Sequence, residues 1–227
     1  MQIIVKSNYQ EMSVAAAQIL ADAILAKPWL CICFAAGNTP TGTYRELIRL
    51  HKTDSLDLSN ATFFYLDDYV GLPGNAPESF RCYLDREVFL PGHVPASHVH
   101  APDLRYEETI RKFGGIDLLL CGIGKNGHIA FNEPGSPSDS RTRIVNLAKS
   151  TIEGLQGKFR PEEIPRQAIT VGLATIMEAR QILLLANGPE KAGILSRALK
   201  GPVTTDVPAS MLQRHPQLTV LTDQEVL

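Results

Sequence analysis

The chain has 227 residues, 44% of them hydrophobic and 20% charged, with a formal net charge of −2. A chain of this length buries roughly 70% of its unfolded surface, so stability requires neither disulfides nor a structural metal. The balance of 22 basic and 24 acidic residues, with no sustained run of one sign, excludes the basic field of a nucleic-acid binder and a polybasic membrane patch.

No apolar run approaches the ~20 residues of a membrane span, and the opening MQIIVKSNYQ has no charged-then-apolar signal pattern. A cytoplasmic protein is expected. Four cysteines stand at Cys31, Cys33, Cys82 and Cys121. A Cys-x-Cys pair on a strand places both side chains on one face, which admits a metal or redox role. Small core side chains in a reducing compartment are the better reading.

Gln2–Val5 reads as a strand, and Asn8 or Ser7 can cap a long amphipathic helix that ends near Ala26, before Pro28. Leu30–Ala35 is an apolar strand, followed by the turn-rich AAGNTPTG and a helix over Tyr44–His51. The strand Ala61–Leu66 ends in Asp67 and Asp68. A long loop then leads to a helix from about Phe80. Arg105–Phe113 is a helix candidate, and the strand Ile116–Cys121 runs into CGIGKNGH.

Asn132–Asp139 is irregular, and Thr151–Gly157 is a weak helix candidate. Ala168–Val171 leads to a short helix near Thr175–Ala179, then to the strand Gln181–Ala186 and the helix Glu190–Lys200. A last helix near Ala209–Arg214 and the strand Leu218–Leu221 complete the pattern. Strands alternating with helices throughout predict a single doubly wound α/β domain, its mostly parallel sheet covered on both faces.

In such sheets the binding crevice lies beyond the carboxyl ends of the strands. Ala36–Gly42, Asp67–Ser79 and Gly122–Pro134 occupy that position. Asp67 and Asp68 are either catalytic carboxylates or merely helix caps or solvated turn residues, the bland reading being the stronger one for Asp68. Gly122-Ile-Gly124-Lys-Asn-Gly127 matches G-x-G-x-x-G, but HIAFNEPGSPS is too short and Pro-broken for the helix a dinucleotide site needs. The better reading is a Gly-rich turn that projects Asn126 and His128. Glu133 can hold His128 in one tautomer and raise its basicity, although a loop histidine is more often structural. One imidazole and one carboxylate make a poor metal site, and no metal is expected. Backbone N–H groups at Gly37, Asn38 and Thr39 together with Lys191 make a candidate site for a small anion.

LDDYVGLPGNAPESF, GIGKNGHIAFNEPG, SRTRI, AITVGLATIMEA and VPASMLQRHPQLTVLTD resemble, in order and across nearly the whole chain, the glucosamine-6-phosphate deaminase family. The resemblance implies a doubly wound fold and conversion of glucosamine 6-phosphate and water to fructose 6-phosphate and ammonia, without a cofactor. By it, Asp67 is the enolisation base that moves a proton between C2 and C1. His128 opens the sugar ring with Glu133 as partner, and Asn126 belongs to the same group. A family Thr-Gly-Ser-Thr-Pro turn is here Ala36-Gly37-Asn38-Thr39-Pro40, so a hydroxyl becomes an amide. The family's phosphate arginine falls near Lys158, and its lysine matches Lys191.

Galactosamine-6-phosphate deaminase/isomerase is the nearest rival and differs in substrate stereochemistry at C4. The hydrolase 6-phosphogluconolactonase shares the fold, and a non-catalytic sugar-phosphate-binding regulator is a third reading. Longer family members are hexamers activated by N-acetylglucosamine 6-phosphate. Here Arg143 fits the effector-binding pattern, but Val145 and Asn146 stand where those members place Lys and Thr, Pro137 replaces a Ser, and no C-terminal extension follows. The expectation is hyperbolic kinetics in a monomer or small oligomer.

Overall fold

The computed structural model describes residues 1–53, 56–157, 159–160 and 163–224. In chain order the strands are β1 (Gln2–Val5), β2 (Cys31–Phe34), β3 (Thr62–Tyr65), β4 (Asp67–Tyr69), β5 (Val99–His100), β6 (Leu118–Gly122), β7 (Arg143–Asn146), β8 (Gln167–Thr170), β9 (Gln181–Ala186) and β10 (Leu218–Thr222). The α-helices are α1 (Tyr9–Ala26), α2 (Asn38–Thr53), α3 (Phe80–Leu84), α4 (Tyr106–Lys112), α5 (Lys149–Glu153), α6 (Leu173–Met177) and α7 (Ala192–Lys200).

Seven strands form a parallel sheet in the order β1-β10-β9-β6-β2-β3-β5, flanked by helices. Its central strands CICF, TFFY and LLLCG are buried along almost their whole length. Strands covered on both faces lose the polar alternation of a half-exposed sheet, which is why these read as continuous apolar runs. The chain winds outward from β2 to β3 on one side, then returns to β6 on the other. The reversal lies between β2 and β6, and the crevice of a doubly wound sheet opens at such a point.

Asn8 is the cap of α1: its side chain accepts from the N–H of Glu11 at 2.9 Å. Helix α2 begins at Asn38, earlier than the expected Tyr44, so the turn-rich AAGNTPTG supplies its first turn. Pro40 fits there because the first helical N–H groups have no acceptor within the helix. Helix α6 also starts early. The hydroxyl of Ser140 caps it by accepting from Leu173 N at 3.0 Å. Pro208–Arg214 is a 3₁₀ helix rather than an α-helix, and α3 continues into a π-helical turn over Asp85–Phe89.

A second, antiparallel sheet of order β4-β8-β7 was not expected. Thr170 pairs with Asp67 on one side and Arg143 on the other. Beneath this sheet Tyr69, Phe131, Leu147, Leu155 and Ala168 make a small apolar cluster of their own. Pairing with β8 fixes the backbone of Asp67 at the mouth of the main sheet.

Candidate active site

Beyond the carboxyl ends of β2, β3, β6 and β9 lies a cleft of about 300 Å³, lined by Gly37, Asn38, Thr39, Asp67, His128 and Lys191, with Phe80 and Phe131 as apolar walls. Six of the expected residues thus meet in one place. Asn126 and Glu133 stand behind His128 and hydrogen-bond to each other instead of lining the cleft. Lys158 lies outside the described residues.

The two adjacent aspartates have different surroundings. Asp68 accepts the N–H groups of Phe80 (2.9 Å), Arg81 (3.1 Å) and its neighbour Tyr69 (2.8 Å), so it caps α3. Asp67 is 6% exposed and faces the cleft. Burial, with the charge of Asp68 adding to it, raises the Asp67 carboxyl to about 8. Among the described residues no hydrogen bond offsets that burial. A carboxylate in this setting is an unusually strong base.

His128 sits at the end of the loop after β6. The loop is closed by the N–H of Gly124 donating to the carbonyl of His128 at 2.9 Å. The imidazole lies flat against Gly124: a Cβ there would fall 2.2 Å from its ring atoms, so only glycine fits. Nδ1 faces Glu133 Oε2 at 3.4 Å, an electrostatic contact off the line of a hydrogen bond, and no other group among the described residues takes this buried nitrogen. Glu133 is held from two further sides, by Asn126 Nδ2 at 2.7 Å and by the Thr151 hydroxyl at 2.8 Å. Burial alone pushes this carboxyl up, but the contacts with His128, Asn126 and Thr151 more than reverse it and hold it at about 2. An anionic Glu133 beside Nδ1 favours the tautomer that leaves Nε2 as the base.

The loop between His128 and Glu133 is pinned from below. Asn132 is fully buried and donates to the carbonyls of Ile129 (3.0 Å) and Val171 (2.7 Å), while its oxygen accepts from Arg143 Nη1 at 2.9 Å. Ala130 is held at φ 54°, a left-handed conformation sparsely used outside glycine. Neither Thr151 nor Asn132 stood out in the sequence as part of the site. Asn132 falls inside the motif FNEP, but Thr151 is distant in sequence and carries no local signal.

At the other end of the cleft, Gly37 takes φ 125°, which lets the chain leave β2 and enter α2 without delay. The N–H groups of Asn38 and Thr39 then open the helix. Lys191 Nζ donates to Thr39 Oγ1 at 3.1 Å, and Thr39 in turn donates to Asn187 Oδ1 at 2.8 Å. Burial lowers the Lys191 ammonium from its ordinary range, with the charge of Lys125 acting the same way. A helix N-terminus and a half-desolvated ammonium facing one space are suited to hold a small anion. Among the described residues no group of three or more His, Cys, Asp or Glu side chains could hold a metal ion.

Residues 6–221 match the family described as glucosamine-6-phosphate isomerases/6-phosphogluconolactonase. The chain belongs to this family. A glucosamine-6-phosphate deaminase of Halothermothrix orenii is 41% identical over 236 residues, spanning 99% of this chain and 98% of the relative. Glucosamine-6-phosphate deaminase 2 of Bacillus subtilis is also 41% identical, over 98% of this chain and 95% of its own. Among solved structures, a monomeric glucosamine-6-phosphate deaminase superposes with a TM-score of 0.94 at 39% identity, covering 100% of this chain and 98% of its own. The 6-phosphogluconolactonase of Trypanosoma cruzi reaches 0.80 at 22% identity and shares the fold.

Proposed function

We infer that this family member is a glucosamine-6-phosphate deaminase, converting glucosamine 6-phosphate and water to fructose 6-phosphate and ammonia. Full-length identity of 41% to deaminases supports this over the lactonase chemistry of structural neighbours at 22%. The observation that carries the chemistry is the meeting of two differently tuned acid–base groups in one anion-binding cleft. One is a buried carboxyl free of hydrogen bonds, the other an imidazole backed by an anionic carboxylate.

The substrate phosphate is held by the N–H groups of Asn38 and Thr39, beside Gly37, and by Lys191. His128 Nε2 takes the proton from the anomeric O1 and returns one to the ring oxygen, opening the hemiacetal. Glu133 stabilises the imidazolium formed between those transfers, and Asn126 and Thr151 keep Glu133 in place. Asp67 then removes the C2 proton and delivers it to C1 on the same face, through a cis-enolamine. The resulting C2 imine is hydrolysed, which releases ammonia. Asp67 must be ionised to begin, and the substrate's C2 ammonium supplies the nearby positive charge that lowers its pKa on binding.

No described helix is long and apolar enough to cross a membrane, and the four free cysteines suit a reducing cytoplasm. Similarity to a monomeric deaminase favours a monomer acting as one catalytic unit over residues 1–227. The test is a parallel assay of the purified chain with glucosamine 6-phosphate, galactosamine 6-phosphate and 6-phosphogluconolactone. Ammonia release should be fastest from the glucosamine substrate. Faster turnover of the galactosamine epimer, or lactone hydrolysis without ammonia release, would overturn the assignment.

A further inference from the structure

The backs of the anion-binding peptides are occupied by two tyrosines that belong to other helices. Tyr9, at the start of α1, has its hydroxyl 3.1 Å from the carbonyls of both Asn38 and Thr39 and accepts from Gly42 N at 2.8 Å. Tyr83, on α3, donates to the carbonyl of Gly37 at 2.8 Å and shares a 2.8 Å bond with the Thr41 hydroxyl. The Thr41 hydroxyl lies 3.0 Å from the same Gly37 carbonyl. Three successive carbonyls are therefore engaged from outside the loop.

A trans peptide unit is planar, with its C=O and N–H pointing in opposite directions, and none of the described peptide bonds is cis. Fixing the Gly37 carbonyl therefore fixes the N–H of Asn38, and fixing the Asn38 carbonyl fixes the N–H of Thr39. Those are the two N–H groups that open α2 at the cleft. The need for such support is local: Gly37 at φ 125° is the most permissive residue in the loop, and Pro40 contributes no N–H. Gly42 makes the Tyr9 contact possible, since a Cβ there would lie 2.9 Å from the Tyr9 hydroxyl and 2.4 Å from Ser13 Oγ.

We propose that Tyr9 and Tyr83 are positioning residues that aim the N–H groups of Asn38 and Thr39 at the substrate phosphate, acting through the opposite ends of the same peptide units. The proposal rests on the phosphate assignment made above. Neither ring is required to touch substrate, so the hydroxyls act on affinity for the phosphate and not on the proton transfers.

Tyr9→Phe, Tyr83→Phe and the double variant remove only the hydroxyls. Calorimetric titration with inorganic phosphate and with fructose 6-phosphate should give dissociation constants raised roughly tenfold in the double variant, the scale of one or two lost hydrogen bonds. The KM for glucosamine 6-phosphate should rise in parallel while kcat stays within about twofold, because only ground- and transition-state binding held in common is lost. Unchanged phosphate affinity in the double variant would overturn the proposal. So would a fall in kcat and Tm with no selective loss of phosphate affinity, which marks a merely structural pair. A wild-type chain that binds no phosphate also overturns it. If the wild type binds phosphate and the variants lose that binding, but ammonia is never released, the proposal stands and the deaminase assignment falls.

Discussion

Asp67 and Asp68 are chemically identical neighbours, and their surroundings give them separate tasks. The second satisfies three N–H groups, while the first has none and titrates at about 8. The folded chain therefore binds a proton at Asp67 that the unfolded chain releases near pH 4. Between about pH 4 and 8 the Asp67 contribution to stability falls as pH rises, because the native state holds the extra proton. Asp67→Asn keeps the shape and removes that burden. It should raise Tm by several degrees at pH 8, with the gain fading towards pH 4, while turnover falls at least ~10²-fold. Thermal melts across pH and solvent exchange of the C2 hydrogen check both halves. Normal exchange in the variant would assign the base elsewhere. In the wild type kcat/KM should climb with pH towards a limb near 8, since that ratio reports the free enzyme. Asp68→Asn should move the limb lower by removing the repulsion. At the anion end, Lys191→Ala should raise KM about tenfold, the worth of one charge-assisted hydrogen bond. An unchanged KM would take Lys191 out of the site.

The loop after β6 shows the same economy one level up. On the proposed mechanism its role depends on how closely the His128 ring lies on Gly124, so Gly124→Ala should displace the ring and disrupt ring opening. The expected result is a loss of turnover with the cyclic substrate, while binding of an open-chain analogue is largely retained. Equal affinity losses for cyclic and open-chain ligands would mean that the whole loop has moved. Elements of this kind were legible in the sequence because their signals are local. CICF, TFFY and LLLCG announce buried parallel strands, and GIGKNGHIAFNEPG is long enough to identify its family by resemblance. What stayed illegible depends on partners far along the chain. The polar β4 becomes a strand only because Thr170 stands opposite Asp67, and α6 starts early because Ser140 caps it. Likewise Thr151 joins the site only when α5 folds against Glu133. The AAGNTPTG segment misled in the other direction: its turn-forming residues are also those that a helix tolerates in its first turn.

At the scale of the whole molecule, the switch of winding direction between β2 and β6 gathers loops from four strands of one chain around one cleft. Regulation is a separate question, and Arg143 bears on it. Its guanidinium is partly committed: Nη1 donates to Asn132 Oδ1 at 2.9 Å, and Nη2 lies 3.4 Å from Ser136 Oγ. Asn132 is the fully buried pin under the loop that carries His128 and Glu133. Withdrawing Arg143 towards an effector would leave a buried amide oxygen unpartnered, at a cost of about 1–3 kcal/mol before any effector contact was made. Its neighbours on β7 offer little in return: Val145 has no polar group, and Asn146 already accepts from Gln167 Nε2 at 3.0 Å. A ligand shifts an equilibrium only by its differential affinity for two states, and an effector here would first have to offset the lost Asn132 contact. The chain should therefore show hyperbolic kinetics, unchanged by N-acetylglucosamine 6-phosphate, and behave as a monomer in light scattering. Arg143→Ala should lower Tm and kcat without altering any effector response. Sigmoidal rates made hyperbolic by that sugar phosphate, or a hexamer in solution, would show that Arg143 has a second arrangement after all.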